Sequence, residues 1–158
     1  MLGISVPKVV FEELRRRAER NGRSIEEMLT DLVIKEVDPE SRAEKYIEAA
    51  RELLEWAENE LKRENLRQAS EKIWNAAALA VKAYAFWKEK KVLTRHVELW
   101  QYKSILAGEL GDWVRDSWLI ADSMHKNFYE NEADRNDVAR ALQHVKKLVE
   151  AVWRKIKH

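Results

Sequence analysis

Apolar side chains recur at helical spacing along most of this chain. After Pro39 the series Tyr46, Ala49, Ala50, Leu53, Leu54, Ala57 and Leu61 predicts a long amphipathic helix. Asn65 marks a short turn. Ala69, Ile73, Ala76, Ala77, Ala80, Tyr84 and Trp87 then define a second long helix, on which Trp74, Ala78, Val81 and Ala85 form another apolar row. A helix apolar on two sides is central in a bundle or lies at a subunit interface. Leu99, Tyr102, Ile105 and Leu106 mark a shorter helix over Thr94–Ala107, and Gly108 and Gly111 bracket a bend. One face of the next helix carries Leu110, Trp113, Val114, Trp118, Ala121, Met124, His125 and Phe128. Asp134 caps the last helix, whose stripe runs from Val138 through Val145 and Val152 to Ile156.

The beginning of the chain has a different rhythm. Residues 2–6 alternate, with Ile4 and Val6 on one side and Ser5 on the other, which predicts a short strand. Pro7 fits the first turn of a helix. Val10, Leu14 and Ala18, with Phe11, predict that helix, and Asn21-Gly22 ends it. Ser24-Ile25-Glu26-Glu27 reads as a capping box, with Ser24 capping the first amides and Glu27 reaching back. Ile25, Met28, Leu29, Leu32 and Val33 give the second helix its apolar stripe, until Asp38-Pro39 breaks it and caps the next. The expected fold is therefore all-α: a five-helix up-and-down bundle over residues 38–158, preceded by a short strand and two short helices over residues 1–37.

Composition narrows the classes. Charged residues make up 36% of the 158, against roughly 25% in an average protein. Four Gly and two Pro are too few for the turns of an all-β fold. With no Cys, disulfides and thiolate chemistry are excluded. No apolar run reaches membrane-spanning length, and the start lacks the layout of a signal peptide, so a cytoplasmic protein that spans no membrane is expected. Net charge is +1, far from the strong basicity of a general nucleic-acid binder. Residues 1–37 carry seven Lys/Arg and seven Asp/Glu; residues 135–158 carry seven against two, making the last helix the one clearly basic element.

Two stretches resemble known families. Gln68-Ala69-Ser70-Glu71-Lys72-Ile73-Trp74-Asn75-Ala76-Ala77, followed by Ala80-Val81-Lys82-Ala83, resembles the HEPN superfamily, and more narrowly its archaeal PaREP-type branch. His125-Lys126-Asn127-Phe128-Tyr129 and the helix after it resemble that family's closing half. The resemblance spans about residues 39–158. It implies a HEPN-like bundle, usually dimeric, associated with RNA or nucleotide binding and, in many members, with metal-independent ribonuclease activity in toxin–antitoxin systems. Those nucleases carry Arg, four to six residues, then His. Here Arg140 and His144 are separated by three residues, Arg135 and His144 by eight, and Arg115 and His125 by nine. The chain therefore reads as a non-catalytic interaction protein binding RNA, a nucleotide or a protein. A ribonuclease built on His125 and Arg115 or Lys82 is the alternative. Residues 1–37 resemble a ribbon-helix-helix module, which implies dimerisation through the strand and helices or DNA binding as a regulator.

The residues that could carry chemistry are few. His125 on an apolar helix face suits acid–base work or a hydrogen-bonded place in the core, and Tyr129 one turn on could share its site. Glu71, Asn75 and Lys82 form a polar row on the central helix, either a site between helices or a buried network that fixes packing. His96 beside Arg95 starts a helix, where it could hold phosphate or simply face water. No His-x-x-x-His or Glu-x-x-His pair supports a metal, and no Gly-rich phosphate loop supports a cofactor. Seven Trp could stack on bases, but packing in a core or dimer interface explains them more simply.

Overall fold

The computed structural model describes residues 2–158. They form seven helices: α1 Lys8–Arg20, α2 Ile25–Ile34, α3 Pro39–Lys62, α4 Leu66–Glu89, α5 His96–Leu110, α6 Trp113–Glu130 and α7 Arg135–Lys157. The all-helical expectation holds, and no helix among the described residues is long and apolar enough to cross a membrane. The predicted strand at residues 2–6 is absent. Those residues have no regular structure, and Leu2 and Ile4 are 98% and 87% exposed. A strand needs a neighbour to pair its backbone groups, and among the described residues none bonds the backbone of residues 2–6.

Helix α4 is the axis of the molecule, packing against α3, α5, α6 and α7 as well as α2. Every residue from Lys72 to Phe86 is buried. The repeated alanines Ala76, Ala77, Ala78, Ala80, Ala83 and Ala85 let neighbouring helices approach on all sides. Trp74 and Trp118 are buried outright. The other five Trp are half-buried and pack against the same core, which is the packing role expected of them. Local signals hold at several ends. Gly22 has φ +64 after α1, and Asp134 caps α7 by accepting from the Asp137 amide at 2.8 Å while Asp137 returns the favour at 3.0 Å. Pro7 sits just before α1, its carbonyl accepting from the Val10 and Phe11 amides. Gly108 lies inside α5, so the bend falls at Gly111 alone. Asp38 precedes α3 without a side-chain capping bond.

Helix α2 departs most from expectation. Its predicted apolar stripe is divided: Met28 is buried, with Ile34 beyond the stripe, and Ile25 is half-buried. Leu29 and Leu32 are exposed and Val33 is 65% exposed, while Ser24 and Glu27 are buried against the bundle. The helix lies with its charged side inward. Glu27 accordingly does not close the capping box. Ser24 Oγ does accept from the Glu27 amide at 3.0 Å, but the Glu27 carboxylate is drawn to the buried Lys82 of α4 instead.

Candidate functional site

Because α4 is buried all round, each polar residue on it needs a partner. Lys72, Asn75 and Lys82 recur on the side facing α2, and α2 supplies the counter-groups. Lys82 Nζ lies 2.7 Å from Glu27 Oε1 and 2.6 Å from Asp31 Oδ2, and the Lys82 and Glu27 side chains are each 1% exposed. The Glu27 contact is one of charge, since neither of its oxygens has a hydrogen-bond partner of normal geometry. Lys72 pairs with Glu26 and stands over the Trp56 ring, 4.1 Å from its centroid. Asn75 accepts from Ser24 Oγ at 2.6 Å and donates to Glu26. Asp31 also takes Arg23 at 2.6 Å and the Tyr46 hydroxyl at 2.7 Å. Burial, followed by the charge of Asp31, pushes the Tyr46 phenol well above its ordinary range. This is the network that fixes packing, extended across two helices.

The predicted row Glu71–Asn75–Lys82 is thus divided. Asn75 and Lys82 belong to the α2 contact. Glu71, one position from Lys72, turns toward a cavity of about 430 Å³ between α1, α2, α4 and α6, which Tyr129, Phe128, Arg67 and Phe11 also line. Burial, then the negative charge of Glu26, raises the Glu71 carboxyl from 4.5 to about 7. It therefore holds a proton up to near neutrality.

His96, His125 and Tyr129 do converge. The His96 ring, from the first residue of α5, stacks on His125 of α6 with centroids 5.8 Å apart, and Tyr129 meets His125 edge-on at 5.8 Å. Both histidines rest on buried Trp74, at 5.3 and 5.0 Å. His96 Nε2 accepts from Trp100 Nε1 at 3.0 Å and lies 3.6 Å from Asp122. Asp122, held below the ordinary carboxylate range by His96 despite its burial, also pairs with Lys126. Burial, then the nearby His96, lowers the His125 imidazole, so it is neutral at physiological pH. Tyr129 is pushed up by burial and then by Glu71 and Glu19, which joins the histidine pair to the Glu71 cavity. Tyr129 thus touches both groups, meeting the histidine pair edge-on and lining the cavity beside the Glu71 carboxyl.

Arg115 takes no part. It lies ten residues before His125 on α6, about 15 Å along the helix axis, and is occupied with Ser104 and Asp112. Arg95 lies beside His96 but pairs with Glu98. Three residues of the basic last helix, Arg135, Lys146 and Lys157, are met by Glu64, Glu58 and Glu44. No group of three or more metal-ligating side chains occurs among the described residues. The patterns by helix missed Lys72, Glu26, Glu27, Asp31 and Asp122. The signal for the first was present, because a polar residue amid a helix apolar on all sides demands a buried partner.

These features define a helical-bundle protein with a histidine–aromatic patch on one side of its central helix and an ion-paired helix on the other. The chain belongs to the archaeal PaREP1/PaREP8 family, whose model matches residues 45–149. No curated protein and no solved structure matches it. The matched segment holds Glu71, Asn75, Lys82, His96, His125 and Tyr129 but not α1 and α2, so the acids that meet Lys72 and Lys82 lie outside it.

Glu71 carries a pH prediction. Its folded-state pKa lies above its ordinary value, so its contribution to stability is complete below pH 4.5 and is lost as pH rises through about 7. Glu71→Gln removes that loss. Melting temperatures should show the variant gaining on the parent chain at pH 8 relative to pH 5; an equal difference at both pH values would remove Glu71 from the account.

Proposed function

We propose that this chain is a non-catalytic, HEPN-like interaction protein that works as a homodimer joined through residues 1–37, the ribbon-helix-helix-like segment, and that its bundle over residues 38–158 receives RNA, a nucleotide or a protein partner. The observation that carries the reading is the inverted α2. Glu26, Glu27 and Asp31 are spent on α4, and Leu29, Leu32 and Val33 point to solvent, as do Val9, Val10 and Phe11 of α1. Val9 is 72% exposed, and Val10, Phe11, Leu29, Leu32 and Val33 are exposed with it, as are Leu2 and Ile4. So many exposed large apolar side chains within residues 2–33 support an interface there. A second copy also supplies what residues 2–6 lack, a neighbouring strand. Dimerisation is favoured over DNA reading, since residues 1–37 carry equal numbers of acids and bases and a DNA reader needs excess positive charge. The acids facing α7 likewise reduce the charge it offers to phosphates, so a protein partner is favoured over RNA.

Sedimentation equilibrium should give a dimer at micromolar concentration. Phe11→Asp with Val33→Asp should give a folded monomer with unchanged helical content. A parent chain that stays monomeric would sink the reading.

A second reading, a metal-independent ribonuclease, draws support from the meeting of His125, His96, Tyr129 and Glu71. Its test is cleavage of RNA in the presence of EDTA, with His125→Ala expected to lose at least about a hundredfold in rate. Cleavage by the variant at the parent rate, or none by the parent chain, would end it.

A further inference from the structure

A cavity of about 210 Å³ between α2, the start of α3 and the end of α4 lies apart from the histidine patch and meets the uncovered apolar face at Leu32. Lys90, the residue that ends α4, adopts φ 56, a left-handed conformation that turns the chain so that Lys91–Thr94 forms one wall. Leu93, 2% exposed, pins that wall to the core. Met28, Phe86 and Leu93 give the cavity an apolar lining.

Its charged groups are one-sided. Arg23, Lys35, Arg42, Lys82 and Lys91 line it against a single carboxylate, Asp31. Asp31 is already engaged by Arg23, Lys82 and Tyr46. Lys35, Arg42 and Lys91 have no carboxylate at ion-pair distance among the described residues. Arg42 donates to the Val37 and Lys35 carbonyls, at 2.9 Å each, and stands over the Phe86 ring, 5.6 Å from its centroid. The C-terminal ends of α2 and α4 each carry about half a negative charge, which offsets roughly one of these three cations and leaves two.

We propose that this cavity binds a small amphipathic organic anion, a carboxylate on a short chain or single ring. The head group would meet Lys35, Arg42 and Lys91, and the apolar body would lie against Phe86 and Met28. The volume is below the roughly 300–1,000 Å³ of sites for larger ligands, so the cavity is too small for a nucleoside phosphate. An apolar body explains the lining, and one carboxylate, with two oxygens, can accept from more than one of the cations left without acids. Because α2 forms one wall and α4 another, the occupant would also brace the same helix pair that the buried ion pairs hold.

The test is a titration of the full chain with hexanoate, followed by amide chemical shifts, with hexanamide and inorganic phosphate as parallel probes. Hexanoate should bind saturably and move the amides of Met28, Phe86 and Leu93. Hexanamide and phosphate should each bind at least about tenfold more weakly, the loss of one charge contact or of the apolar body. Lys35→Glu and Lys91→Glu, both at exposed positions, should each weaken hexanoate by about tenfold with the melting temperature unchanged. Equal affinity for the neutral amide or for phosphate, shifts centred elsewhere, undiminished binding by both variants, or no saturation would overturn the assignment.

Discussion

Burying the Lys82 ammonium is the costly step in this fold, and α2 exists in its observed orientation to meet it. An ammonium removed from water costs several kcal/mol unless opposite charge lies against it. Within α4 nothing can supply that charge, because the neighbours are alanines, leucine and aromatics. Glu27 and Asp31 therefore have to come from outside the bundle, and their four-residue spacing sets both on one side of a helix. Once that side is turned inward, Leu29, Leu32 and Val33 have to face out. The uncovered apolar surface follows from the charge requirement. Helix α1 is carried along, since the Arg23 amide bonds the Ala18 carbonyl and the Arg23 guanidinium joins Asp31.

The opposite side of α4 meets a different constraint. Trp74 is large, buried and flanked by Trp118 at 5.1 Å, and the space over it is closed by two imidazole rings from α5 and α6. Two histidines in contact cannot both be charged at low cost. Asp122 and Trp100 meet His96, and burial with the neighbouring ring lowers the His125 imidazole. The central helix thus carries an ion-paired contact on one side and a histidine–aromatic one on the other. Only the second lies wholly inside the stretch that matches the archaeal family.

Most helices were legible because a single chain must bury one stripe per helix, and the stripe recurs with the helix period. The bounds of α3, α4 and α7 follow from Tyr46–Leu61, Ala69–Trp87 and Val138–Ile156 with their flanking Asn65, Pro39 and Asp134. Periodicity held for α2 at Met28 but not at Leu29, Leu32 and Val33, since it assigns the whole apolar side inward, and here the demand of Lys82 outweighs it. It failed for residues 2–6, since alternation describes a strand's faces but not whether a partner exists. It grouped Glu71 with Asn75 and Lys82, whereas Lys72 stands on their side and Glu71 points to the cavity beside Tyr129. The meeting of His96 with His125 was not legible at all, because they sit on different helices and only the packing over Trp74 brings them together.

The charge pairing of Lys82 is the claim on which the placement of α2, the exposed apolar surface and the cavity beside it all rest. Chemical denaturation of Lys82→Met at neutral pH addresses it directly. A buried Glu27 left without its partner should cost about 3–5 kcal/mol of stability. A loss below about 1 kcal/mol, with the helical content intact, would contradict the account.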